Sequence, residues 1–90
     1  MTREEIIHQI NILFVDEFEI DETNIGLSSN LLDVLKIDSL DLVDLVVIIE
    51  KKFGFKIQAE DMAAVKTVED FYSFVIDRVD QQKQTGGLSI

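Results

Sequence analysis

The segment Asp38-Ser39-Leu40-Asp41, with Asp44 three residues further on, sets a hydroxyl among carboxylates. A nucleophilic serine needs a base to take its proton and a turn that holds its oxygen forward. The chain has no G-x-S-x-G elbow, and its single histidine, His8, falls on the polar side of the first helix with no sign that it meets Ser39. Calcium would require the spacing D-x-D-x-D-G, which Asp38, Asp41 and Asp44 do not have. The chain contains no Cys, which excludes disulfides and thiolate metal sites. No catalytic residue and no metal site are expected. From local pattern alone, Ser39 is a hydroxyl satisfying hydrogen bonds at the first position of a helix, directly after Asp38 as N-cap.

Four helical segments must position this group. Thr2-Arg3-Glu4-Glu5 fits a capping box, and Ile6, Ile7, Ile10, Leu13, Phe14 and Phe18 recur at spacings of three and four. These predict a first helix over residues 3–18. Residues 19–38 keep no helical period, yet Ile25, Leu27, Leu31, Leu32, Leu35 and Ile37 are spread through them. A loop pinned to the core is expected, with a short helical turn after Ser29 or Asn30. The second helix is expected over residues 39–53, closed by Gly54, with Phe55 supplying the apolar contact that accompanies such a stop. A short helix is expected over residues 59–64. Thr67-Val68-Glu69-Asp70 caps a final helix whose inward face is Phe71, Phe74, Val75 and Val79. The expected fold is all-α: a small four-helix bundle of three longer helices and one short one, with a long loop between helices 1 and 2. One domain over residues 1–80 is followed by a flexible C-terminal tail, residues 81–90, which has two glycines and no period.

The second helix carries two apolar stripes. At about 100° per residue, Leu42, Leu45, Val46, Ile49 and Phe53 share one arc, while Leu40, Val43 and Val47 cluster on the opposite side. A central helix apolar all round would bury both. So small a bundle has little material to surround one helix, however, and the flanking acids need water, which favours an exposed second stripe. An apolar strip rimmed by acids suits a partner with a basic, partly apolar patch.

Charge narrows the partners. The chain holds 18 acidic against 8 basic residues, for a net charge of −10. Nucleic-acid binding is therefore not expected, since neutralising phosphates takes clustered Lys and Arg. The longest uninterrupted apolar run, Leu45 to Ile49, is too short to span a bilayer. The N-terminal stretch, MTREEIIHQI, lacks the basic flank and apolar run of a signal peptide. A cytoplasmic monomer is expected.

The stretch IDSLDLVDLVVIIEKKFGFKI resembles the attachment segment of the acyl carrier protein family, in which D-S-L opens the second of four helices. The long pinned loop, the short third helix and KTVEDFYSFV extend the resemblance over most of the chain. It implies that Ser39 receives phosphopantetheine from coenzyme A through a separate phosphopantetheinyl transferase, the carrier synthase, and that Asp38 helps orient the transfer. Acyl groups would then ride as thioesters on the cofactor's thiol. It further implies that Leu40, Asp41, Val43, Asp44, Val47 and Glu50 form the face read by acyl-processing enzymes with basic docking patches. Fatty-acid or related lipid biosynthesis is the expected setting. A carrier for a polyketide or aminoacyl pathway, and an unmodified interaction module of carrier ancestry, are the alternatives. Family members commonly have Gly three positions before the serine, where this chain has Lys36.

Overall fold

A computed structural model describes residues 2–88. Among the described residues the order is α1 (Arg3–Phe18), a 3₁₀ turn (Glu22–Asn24), α2 (Leu31–Leu35), α3 (Leu42–Phe53), α4 (Ala59–Ala63) and α5 (Val68–Leu88). No strand occurs among them; a single antiparallel bridge joins Asn30 to Thr67.

Local chemistry sets the helix ends. Thr2 Oγ1 accepts from the Glu5 N–H (3.2 Å) and Glu5 Oε1 accepts from the Thr2 N–H (3.3 Å), so α1 starts in the expected capping box. Asn30 Oδ1 accepts from the N–H groups of Leu32 and Asp33 and starts α2. Thr67 Oγ1 accepts from the Asp70 N–H, while Asp70 Oδ2 accepts from the Thr67 and Lys66 N–H groups, and α5 follows. Gly54, at φ 78°, closes α3 with its N–H on the Glu50 carbonyl (2.8 Å). α1 and α2 stop differently, on Glu19 (φ 55°) and Lys36 (φ 58°), two side-chain-bearing residues in the left-handed region.

The core is one cluster. Ile6, Ile10, Leu13 and Phe14 of α1 meet Leu45 and Ile49 of α3 and Val68, Phe71, Tyr72, Val75 and Ile76 of α5. Phe14 and Phe71 stack with centroids 5.8 Å apart. Leu31 and Leu35 bring α2 into the cluster, and Met62 brings α4. The connection between α1 and α3 is pinned to the core by side chains, as expected, and is held by its backbone as well. Its side chains are buried at Ile20, Leu31 and Leu35, and its backbone is bonded to the start of α5 through Leu31 N–H to Lys66 O, Val68 N–H to Ser29 O and Glu69 N–H to Leu27 O.

Three boundaries differ from expectation. α4 ends at Ala63, one residue early. The backbone of α5 stays helical to Leu88 rather than stopping near residue 80; Ser89 and Ile90 lie outside the described residues. Once a helix is nucleated, adding turns costs little, so loss of apolar period does not by itself end it. The third difference, at the start of α3, bears on the site.

Candidate functional site

Ser39 precedes α3 instead of opening it. The Asp41 N–H donates to the Asp38 carbonyl and the Asp44 N–H to the Asp41 carbonyl, both at 3.0 Å. These are bonds of i+3 type, a tighter winding than the α-helix, and regular α3 begins at Leu42. Asp38 is therefore not the side-chain N-cap; Asp41 holds the cap position in helical geometry (φ −73°, ψ −15°) without a side-chain cap bond. Asp and Ser are poor helix formers that favour turns, which agrees with this winding.

The turn leaves Asp38, Ser39, Leu40 and Asp41 exposed. The Ser39 hydroxyl is thus reachable by a visiting protein, next to a helix start whose N–H groups no side chain takes. Such donors favour an anion, and Asp38, Asp41 and Asp44 oppose it. Ser39 also lies at the mouth of a cleft of about 310 Å³ lined by Leu42, Val43, Val46, Gln58 and Met62. Its volume is at the small end of ligand sites.

α3 sorts its two stripes as the exposed-stripe reading expects. Leu45 and Ile49 are fully buried, with Leu42, Val46 and Phe53 packed beside them. On the other side Leu40 is 82% exposed, Val43 62% and Val47 40%. Asp41 and Asp44 are exposed beside them. Glu50 is placed differently: it is half-buried, and its carboxylate accepts from the Ile57 N–H at 2.8 Å, tying the α3–α4 connection to α3. His8 is exposed on α1, and among the described residues no group of three or more His, Cys, Asp or Glu could hold a metal.

Gln58 and Met62 are the site residues that sequence reasoning missed. Nothing in their spacing relates them to Ser39; they reach the cleft because α4 packs beside the start of α3. A chain of aromatic contacts holds that region together. Phe53, Phe55 and Phe74 follow one another at 6.3 and 6.4 Å, the Arg78 guanidinium lies 5.0 Å above the Phe74 ring, and Arg78 also pairs with Asp61 of α4 at 2.8 Å. The Phe53–Phe55 contact is the apolar partner expected at the Gly54 stop.

The residues present fit an esterified phosphopantetheine: an open hydroxyl, donors for a phosphodiester and an apolar cleft alongside. Comparison with known proteins agrees. A family model described as a phosphopantetheine attachment site matches residues 8–75. The acyl carrier protein of Coprothermobacter proteolyticus is 35% identical over 94% of this chain and 99% of its own length. That of Lactobacillus acidophilus is 36% identical over 83% of this chain and 94% of its own. The solved structure of the acyl carrier protein from Enterococcus faecalis matches with a TM-score of 0.70 at 27% identity, covering 86% of this chain and 98% of that one. No helix among the described residues is long and apolar enough to cross a membrane. Matched through its site region and along nearly the full length of these relatives, the chain belongs to the acyl carrier protein family, a family of phosphopantetheine-dependent carriers and not of catalysts.

Proposed function

We propose that Ser39 is the attachment residue and that the protein carries acyl groups as thioesters on a phosphopantetheine arm, in fatty-acid or related lipid biosynthesis in the cytoplasm. The observation that carries this reading is the placement of Ser39: an exposed hydroxyl in an open turn, immediately ahead of an exposed apolar ridge. Attachment joins the Ser39 oxygen to the phosphorus of the pantetheine phosphate in coenzyme A and breaks that phosphorus's bond to the bridging oxygen. Adenosine bisphosphate leaves, and the hydroxyl proton passes to a base of the synthase. Asp38, exposed one residue away, is a handle for that synthase.

Leu40, Asp41, Val43, Asp44 and Val47 form the face that acyl-processing enzymes grip, and Glu50 supports it by holding the connection to α4. The cleft beside Ser39 offers a carried chain its first apolar surface. Residues 1–80 constitute the carrier domain, working as a monomer, and residues 81–90 are an appendage to it.

The test is intact mass after incubation with coenzyme A and a promiscuous phosphopantetheinyl transferase. The expected result is a gain of one phosphopantetheine unit by the wild type and none by Ser39→Ala. An unchanged wild-type mass with several such transferases overturns the assignment.

A further inference from the structure

The charge on the ridge of α3 is not uniform. At the Ser39 end the exposed side chains are Asp38, Asp41 and Asp44; at the far end they are Lys51 in line with the ridge, Lys52 about 140° round the helix from Val47 on the α1 side, and Lys56 in the connection to α4. Val43, Val47 and Lys51 fall at i, i+4 and i+8, one line along the helix, so the ridge leads from the acidic end into the basic one. Two depressions meet there. One of about 320 Å³ is lined by Val47, Glu50, Lys51, Gly54, Phe55 and Lys56. The other, of about 460 Å³, lies between α1 and α3 and includes Ile12, Ile48, Lys51 and Lys52.

The lysines are incompletely neutralised. Glu50, the only acid in the last two turns of α3, keeps its charge while it accepts from the Ile57 N–H, and so offsets one of the three lysines and not all of them. Asp16 and Glu17 face the second depression from α1, yet among the described residues neither makes an ion pair within 4.0 Å with Lys51 or Lys52. Lys56 has none either.

Distance decides whether the two ends are felt separately. Asp44 and Lys51 are seven residues apart, about 10 Å along the axis, and Asp41 and Lys52 about 16 Å. The Debye length at physiological ionic strength is about 8 Å. A partner therefore meets the local sign at each end, and not the net charge of the chain.

We propose that the partner surface received by this ridge is dipolar: a basic cluster set against Asp38, Asp41 and Asp44, an acidic cluster against Lys51, Lys52 and Lys56, and apolar side chains between them on Val43 and Val47. The inference rests on the carrier reading above and specifies which proteins read the carrier. A uniformly basic patch, which the net charge of −10 would favour, places like charges together at the far end and is disfavoured there.

Three amphipathic helical peptides with one apolar stripe make the test: an all-basic one, one with an Arg-rich and a Glu-rich end, and an isomer of the latter with the charges alternating. Each is titrated into the isotopically labelled protein at 0.15 M salt and followed by backbone amide resonances. The dipolar peptide should bind about fivefold tighter than its alternating isomer, from several exposed charge contacts of modest strength, and shift residues 41–52 most. Against a K51E/K52E/K56E variant the all-basic peptide should become the tightest. K51Q/K52Q/K56Q should fall between, and circular dichroism checks that both variants fold. The proposal is overturned if the all-basic peptide binds the wild type best, if reversing the lysines leaves the order unchanged, or if no peptide shifts the α3 resonances. Loading of Ser39 is followed by mass in parallel. Loss of wild-type loading overturns the carrier reading, whereas normal loading with an unchanged peptide order overturns this inference alone.

Discussion

Lys36→Gly should stabilise the protein. Lys36 ends α2 at φ 58°, ψ 42°, with its N–H on the Asp33 carbonyl (3.3 Å) and the following chain turning into Asp38 and Ser39. A residue with a Cβ pays about 1–2 kcal/mol in this region. Glycine removes that strain, but its freer unfolded chain takes back about 0.5–1 kcal/mol. The net gain is about 0.5–1 kcal/mol. Two side effects are controlled by Lys36→Ala, which loses the same charge and the same attraction to the helix end but keeps the Cβ. The comparison that matters is therefore Gly against Ala. For a chain of 90 residues the gain corresponds to a melting temperature higher by about 2–8 °C. Thermal and urea unfolding of wild type, Lys36→Ala and Lys36→Gly decide it. A glycine variant no more stable than the alanine variant would refute the strain argument, and with it the account of how α2 is stopped. Loading of Ser39 should be unaffected, because Lys36 contributes only backbone direction to the turn.

Glu19→Gly, at φ 55°, follows the same logic, and its gain should add to that of Lys36→Gly if the two sites are independent; a double-mutant unfolding cycle checks this. Phe71→Ala removes a fully buried ring stacked on Phe14 and should cost about 3–5 kcal/mol, read by denaturant midpoint. Backbone N–H groups of Thr67 and Lys66 hold the Asp70 carboxyl below its ordinary value of 3.8, so its contribution to stability is complete above that value and is lost as pH falls through the lower, folded value. Asp70→Asn should accordingly flatten the acid limb of the stability–pH curve, measured by urea unfolding at several pH values. Added salt should raise the melting temperature near neutral pH by screening the repulsion within a net charge of −10, a trend that scanning calorimetry would show to be present or absent.

The helices that bury a stripe were legible because their apolar periods are set by the core they build. Ile6, Ile10, Leu13 and Phe14 on α1, and Phe71 and Val75 on α5, are buried as their spacing predicts. So were three of the stops and starts with local chemistry of their own: the Thr2 and Thr67 caps and Gly54. Lys36 was opaque for the same reason in reverse. Nothing in a lysine announces a left-handed backbone, and the strain there is tolerated because buried Leu31 and Leu35 anchor α2 at its first and last residues. Asp38-Ser39-Leu40-Asp41 carries two overlapping signals, a good cap and a good turn, and local pattern could not tell which hydrogen bonds form. The cleft was beyond reach altogether, since Gln58 and Met62 meet Ser39 only through tertiary packing.

The shift of the α3 start by three residues changes what kind of site this is. A serine inside the first helical turn would have its backbone fixed by the helix and its exposure set by the neighbouring turns. Ser39 instead sits in a short turn closed by i+3 bonds at Asp41 and Asp44, between a strained stop at Lys36 and a helix that buries Leu45. Both flanks are anchored, so the hydroxyl is displayed on a short exposed span between fixed ends. The ridge beside it is held more firmly, since Val43 and Val47 alternate on α3 with Leu45 and Ile49, both fully buried. On the proposed reading the turn takes the arm and the ridge takes the partner, and substitutions at the two should separate experimentally. Changes at Val43 or Val47 should alter which partners bind, while changes at Asp38 or Leu40, the two exposed neighbours of the hydroxyl, should alter how readily Ser39 is loaded.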